Sequence, residues 1–326
     1  MKLKHLTLAI AATASIFTVT TAHAQNWRMA TPYPEQNFHT QNIRQFVADI
    51  KEATDGKLDI TVHPGGSLIK PMEIKNAVRS RQIEMGEFIL SGMANEHPIF
   101  ALDAVPFLAS SHEDSWKLYQ VSKPYIEEVL EKQNLKLLYS VAWPPQGMYT
   151  TTPISKIEDL NGMRMRAYSP QTERLAQLSG AIPTQIEATD VAQAFSTGRV
   201  NAMITSSSTG VNSAAWDFLN HYYDVQAFLP KNAIIVNKRN WDALDEATQK
   251  AVLDAAAQAE ERGWKMSKED MVKQNQTLKD NGIEVSEGSE ELRQSLRKIG
   301  EQMSAEWSKE AGAEGEAIIA EFNKDS

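Results

Sequence analysis

The sequence predicts an α/β protein built as two lobes, and three observations predict it. Apolar residues switch repeatedly between the two-residue period of a strand and the 3.6-residue period of a helix. That switching recurs in both halves of the chain, as a largely parallel sheet in each requires. The chain has 326 residues and no cysteine, so it rests on hydrophobic cores, and its length is enough for two of them.

The elements follow in order. Residues 27–31 (Trp-Arg-Met-Ala-Thr) form a first strand that the Pro32-Tyr33-Pro34 turn stops. Ile43, Phe46, Val47 and Ile50 lie on one face of an amphipathic helix, which Asp55-Gly56 ends. Leu58, Ile60 and Val62 alternate as a second strand, and Pro71 opens a short helix with Ile74, Ala77 and Val78 inward. Ile83, Met85, Glu87 and Ile89 share one face of a further strand, and 137–141 reads as a buried one. Met163–Arg166 is a short strand leading to a helix around Thr172–Leu178, and Val200–Thr205 and Ala233–Asn237 are strands again. From Glu246 to Leu278 the pattern is helical for over 30 residues, so either Gly263 kinks it or one long helix crosses both lobes. Leu292, Leu296, Ile299, Met303 and Trp307 carry a last helix.

Composition excludes several functions. The net charge of −9 argues against a general nucleic-acid binder. Without cysteine there is no zinc ribbon or thiol nucleophile, and seven scattered histidines make a metal site a poor expectation. Phosphate-loop, dinucleotide and Gly-x-Ser-x-Gly signatures are absent. No cofactor is expected.

Residues 1–24 read as a secretory signal peptide. Lys2 and Lys4 precede an apolar stretch from Leu6 to Phe17, and Ala22-His23-Ala24 is a small-x-small cleavage signal. Cleavage after Ala24 leaves a periplasmic chain of charge −11 with no later apolar run long enough to span a bilayer, hence no direct membrane anchor. The expected lobes are 25–145 plus 235–275, and 146–234 plus 276–326.

Candidate chemistry centres on Arg166. Arg164 and Arg166 share one strand face, and Arg166 lies near the strand's carboxyl end, where open α/β sheets bind ligands. Its fork can take a carboxylate in two parallel hydrogen bonds. Glu87 interrupts an apolar row and so needs a partner, a cleft edge or a raised pKa. Aromatic residues near turns, among them Tyr33, Trp143, Tyr149, Tyr168 and Trp216, are able to wall a small ligand. The hydroxyl run Thr205–Thr209 either caps a helix or reaches a ligand.

Together Thr54-Asp55-Gly56-Lys57, Gly66-Ser67-Leu68, Val105-Pro106-Phe107-Leu108 and, above all, Asp159-Leu160-Asn161-Gly162-Met163-Arg164-Met165-Arg166 resemble the extracytoplasmic solute-binding proteins of TRAP transporters, the DctP type. The resemblance covers essentially the whole chain after the leader. It implies a two-lobe periplasmic-binding-protein-like fold with a hinge, an interdomain cleft and a long bridging helix. It also implies capture of a small organic acid and delivery to the small and large membrane subunits of a TRAP permease. The family's carboxylate-pairing arginine falls on Arg166. Many relatives carry a second arginine two residues after a glycine, where Gly147-Met148-Tyr149 places Tyr149 here. Relatives also tend to have Asp-Gly or Asp-Ala, then Asn or Glu, after the valine that is Val200 here, where this chain reads Asn201-Ala202-Met203-Ile204-Thr205-Ser206. Both departures leave room for a small monocarboxylate rather than a sialic-acid-like or dicarboxylate substrate. The expected shell is then Arg166, Tyr149 and the hydroxyls of Ser206, Ser207 and Ser208, with Trp143, Tyr33 and Trp216 as walls and Asn37, His39 and Glu87 from the first lobe. Two other readings stay open: a periplasmic hydrolase or isomerase using Glu87 or His39, and a binding protein serving another importer or a chemoreceptor.

Overall fold

The computed structural model describes residues 24–325, so the leader up to His23 lies outside the described residues. The first sheet contains β1 (Gln25–Ala30), β2 (Leu58–His63), β3 (Met85–Ile89) and β4 (Leu135–Ala142). Between them run α1 (Phe38–Ala53), α2 (Ile74–Arg79) and α3 (His112–Lys132). The second sheet contains β5 (Gly147–Thr150), β6 (Arg164–Ala167), β7 (Ile182–Gln185), β8 (Ala202–Thr205), β9 (His221–Tyr223) and β11 (Glu284–Ser286). Its helices are α4 (Pro170–Leu178), α5 (Val191–Ser196) and α6 (Ser207–Asn212). The chain returns to the first sheet through β10 (Lys231–Asn237), then runs through α7 (Lys238–Asp242), α8 (Glu246–Asp280) and α9 (Glu290–Phe322).

Strand order is β2-β1-β3-β10-β4 in one sheet and β11-β9-β5-β8-β6-β7 in the other. Each sheet is parallel but for one strand. β10 runs antiparallel to β3 and β4, and β5 antiparallel to β8 and β9. Those two reversed strands are the ones by which the chain enters a sheet from the other lobe. The two crossings, Trp143–Gln146 and Ala227–Pro230, are stitched together by backbone hydrogen bonds. Trp143 N–H donates to Pro230 O at 2.8 Å, Gln146 N–H to Phe228 O at 2.9 Å, and Ala227 N–H to Gln146 O at 2.9 Å. The result is a two-stranded hinge.

Alternation decides which side chains enter which core. On β10, Ala233 and Ile235 join one face of the first sheet, while Ile234 and Val236 join the other, under α1. The second sheet has Met148, Met165 and Ile204 on one face and Tyr149, Met203 and Tyr222 on the other. The third link is α8, continuous over 35 residues with no kink at Gly263. It packs against α1 and β4 of the first lobe and α6 and β11 of the second. A division along the sheets keeps β10 whole in the first lobe, whereas the expected limit at 234/235 cuts it. Trp307, Ile318 and Phe322 of α9 also pack in a first-lobe core, although 276–326 was expected in the second lobe. α9 serves both, because its earlier residues Leu292, Leu296 and Met303 belong to a second-lobe core.

Candidate functional site

Local folding explains how Arg166 reaches the cleft. The Asp159 carboxylate accepts from the N–H groups of Ser155 (2.7 Å) and Lys156 (3.1 Å), capping a tight turn, and Leu160 drops into the core. Gly162, at φ +75°, reverses the chain into β6 in a conformation that disfavours side chains. Along β6 the residues then alternate. Met165 is buried in the second-lobe core, Arg164 lies at the exposed end donating to Gly198 O (2.7 Å), and Arg166 ends up buried near the carboxyl end.

Arg166 is 3% exposed and pairs with no carboxylate among the described residues. Its Nε donates to Ile186 O at 3.0 Å, its guanidinium carbon sits 4.9 Å from the Tyr168 ring centre, and its Nη1 is buried without a partner. Burial pulls its pKa down to about 10, so it remains a cation at neutral pH. A buried cation with an unfilled donor is costly unless an anion meets it.

The space beside Arg166 is an interlobe cavity of about 60 Å³. Tyr33, Met72, Phe88, Met93, Trp143 and Pro230 wall it from the first lobe and the crossings. Gln146, Tyr168, Gln185, Glu187, Thr205 and Thr209 face it from the hinge and the second lobe. Tyr168 O–H donates to Gln146 Oε1 at 3.0 Å, which orients the Gln146 amide. Tyr33 and Trp143 meet edge to face, with ring centres 4.8 Å apart. A larger cavity of about 330 Å³ continues along the cleft past Tyr33, Trp143 and Thr209 to Asn212 and Ser213.

Of the residues singled out from sequence, Arg166, Trp143, Tyr33 and Tyr168 line this cavity, as do Thr205 and Thr209 at the two ends of the hydroxyl run. The others sit behind or away from it. Tyr149 points into the second-lobe core, its ring 4.4 Å from Tyr222 and its hydroxyl donating to Ser206 O at 3.2 Å. Trp216 packs on that same core, against the face that holds Tyr149. Ser206 caps α6 by accepting from Thr209 N–H at 3.2 Å, Ser207 is buried beside it, and Ser208 donates to Asp270 of α8. Asn37 caps α1 through His39 N–H at 2.9 Å.

Glu87 lies one layer behind Tyr33 and Trp143. It accepts from Thr31 Oγ1 and from Asn232 Nδ2 (2.8 Å), with His39 Nδ1 at 3.4 Å. Burial raises its pKa to about 7, against the opposing pull of the Thr31 and Asn232 hydrogen bonds. Burial also holds His39 neutral, well below its usual pKa. Glu87 therefore has scaffold partners on each side that the structure describes.

Sequence reading missed Gln146, Gln185 and Glu187, and within the hydroxyl run it gave the ligand-facing part to Ser206, Ser207 and Ser208, where the cavity is lined by Thr205 and Thr209. For the threonines a signal existed. Thr205 ends β8 and Thr209 lies in the first turn of α6, so the run places hydroxyls at a strand's carboxyl end, where open sheets bind ligands. Gln146 follows Pro144-Pro145 in the crossing, where nothing in its residue type marks it.

The family model described as bacterial extracellular solute-binding protein, family 7 (DctP) matches residues 29–310. The chain is similar to the crystal structure of DctP6, a Bordetella pertussis extracytoplasmic solute receptor binding pyroglutamic acid, at 44% identity and a TM-score of 0.91 over 92% of this chain and 100% of that one. It is also similar to a marine metagenome TRAP solute binding protein specific for pyroglutamate, at 37% identity and a TM-score of 0.91 over 93% and 99% of the two chains. Among curated proteins, the C4-dicarboxylate-binding periplasmic protein DctP of Rhodobacter capsulatus is 26% identical over 282 residues, 82% of this chain and 81% of that protein.

Proposed function

The chain belongs to the bacterial extracellular solute-binding protein family 7 (DctP), and we propose that it captures a small monocarboxylate, pyroglutamate in the first instance, between its lobes and delivers it to a TRAP-type secondary transporter. The observation that carries this reading is the buried Arg166 with its unpartnered Nη1 on the wall of a largely apolar interlobe cavity. A ligand carboxylate at that point completes the guanidinium's hydrogen bonds, and closing the hinge around it brings both lobes to the same ligand.

The rest of the wall supports a compact, weakly polar ligand. Met72, Phe88, Met93 and Trp143 offer apolar surface, while Gln146, Gln185, Thr205 and Thr209 offer a small number of hydrogen bonds. A five-membered lactam bearing one carboxylate matches that balance, and a polyhydroxylated sugar acid leaves most of its hydroxyls unanswered. Relatives at 44% and 37% identity whose structures are described as binding pyroglutamate point the same way.

Family members are ligand-binding transport receptors of the periplasm, and the 1–24 leader fits export with cleavage after Ala24. A hydrolase or isomerase using Glu87 or His39 as base is disfavoured, because both side chains lie behind the cavity wall. A thermal-shift screen of organic acids, amino acids and sugar acids tests the function. A ligand at 100 times its dissociation constant stabilises by about 2.7 kcal/mol. Pyroglutamate is expected to give the largest shift; a shift from sugar acids alone overturns the proposed substrate class.

A further inference from the structure

Behind the cavity, Asn232 occupies the middle of the first sheet, opposite Ile89 on β3 and Val141 on β4, and is fully buried. Its side-chain oxygen accepts twice, from Trp143 Nε1 at 3.0 Å and from Tyr33 O–H at 3.3 Å. Its amide nitrogen donates to Glu87 Oε1 at 2.8 Å. Glu87 in turn accepts from Thr31. Both donors of the aromatic wall are thus drawn away from the ligand and into the scaffold.

The direction of this chain is forced. The indole Nε1 of Trp143 can only donate, so the Asn232 atom that faces it is the oxygen, which leaves the amide nitrogen for Glu87 Oε1. The Asn232 amide is therefore fixed with its nitrogen toward Glu87 and its oxygen toward the wall. Trp143 has a single donor, now consumed, and shows the cavity only its ring. Tyr33 has given its proton to Asn232, and burial together with the Glu87 charge keeps the phenol protonated far above its ordinary range. What Tyr33 has left to offer is an oxygen lone pair.

We infer that Asn232, clamped by Glu87, is a specificity-determining positioning residue that makes the Tyr33–Trp143 wall acceptor-only, so that the site prefers a monocarboxylate carrying an N–H donor to one carrying an acceptor at the same place. The inference rests on the carboxylate-capture reading above. An acceptor wall welcomes a lactam N–H and repels a ring oxygen or a second carboxylate. A site built to receive an N–H rejects the analogue lacking it far more strongly than shape alone does.

Calorimetry with L-pyroglutamate and its ring-oxygen isostere, 5-oxotetrahydrofuran-2-carboxylate, tests this directly. The wild-type protein is expected to prefer the lactam by about tenfold or more. Tyr33→Phe keeps the ring and the fold but removes the acceptor, and Asn232→Leu frees both wall donors; each is expected to bring the ratio close to one. The double variant Glu87→Gln with Asn232→Asp reverses the polarity of the inner hydrogen bond while leaving an oxygen facing the wall, so it is expected to keep the preference within about threefold of wild type, which loss of packing cannot mimic. Equal binding of both acids by the wild type overturns this inference alone. So does a preference that survives in Tyr33→Phe, which would assign the N–H to Glu187 instead. A wild-type protein that binds neither acid overturns the carboxylate reading and this inference with it.

Discussion

Glu87 is the residue whose burial has the clearest physical consequence. Its pKa rises from 4.5 to about 7 on folding, because the carboxylate leaves water for a site where only neutral groups meet it. The folded protein thus binds this proton more tightly than the unfolded chain does. Below about pH 4.5 both states are protonated and nothing is lost. Between there and pH 7 stability falls as pH rises, by a total on the order of 3 kcal/mol, and above that the loss is constant. Asp103, raised to about 6 by burial, contributes the same sign, so the two have to be separated by mutation. Urea unfolding at pH 5, 6, 7 and 8 is expected to show wild type losing stability relative to Glu87→Gln between pH 5 and 7 and running parallel to it beyond 7. Parallel curves throughout would mean that Glu87 is not desolvated as described.

Single residues also show where sequence reading succeeds and where it stops. Arg166 is legible because alternation along a short strand and its carboxyl end are both properties of sequence order, and the preceding Asp-Leu-Asn-Gly turn fixes which way it faces. Glu87 is legible as an anomaly but not as a solved one. Its partners Thr31 and Asn232 lie 56 and 145 positions away, and no local pattern links them. Tyr149 shows the opposite failure. A ring and hydroxyl near a crossing look alike whether they face a cleft or a core, and only the stacking of β5 under α6 decides for the core.

At the level of elements, most strands and helices follow from periodicity, while the joints do not. The helical pattern of 246–278 leaves a kink and a continuous helix equally open, and α8 is continuous because Gly263 is there for space. An added Cβ at Gly263 would run into the Val141 side chain and lie 2.7 Å from Asn42 Nδ2, an amide already donating to Ala259 O at 2.8 Å. Two effects of Gly263→Ala oppose each other. Helix propensity favours alanine by about 1 kcal/mol, and overpacking a tight contact costs about 1–3 kcal/mol. Crowding by both Val141 and Asn42 decides it, so a net destabilisation of about 1–2 kcal/mol is expected from denaturant unfolding. A stabilised variant would show that α8 stands further from β4 and α1 than described. The reversed strands β5 and β10 escape sequence reading for a related reason, since strand direction is set by the crossings and not by residue type.

For the whole molecule, two mixed sheets are joined by paired crossings and by helices α8 and α9, each of which packs on both lobes. The cavity forms where the crossings meet the carboxyl ends of β6 and β8, so that one ligand touches both lobes and the hinge at once. On its wall lies Arg166, buried and with no carboxylate within salt-bridge distance among the described residues. A group held for binding in this way weakens the free protein, and replacing a buried unpaired cation with an apolar side chain of similar length is neutral or stabilising. Titration calorimetry of L-pyroglutamate into wild type and Arg166→Met, with the unfolding midpoint of each free protein measured alongside, tests this most directly. The predicted result is binding by wild type, binding weakened about a hundredfold or more in Arg166→Met, and a free variant at least as stable as wild type. An Arg166→Met protein that binds within about threefold of wild type would contradict carboxylate capture at this site.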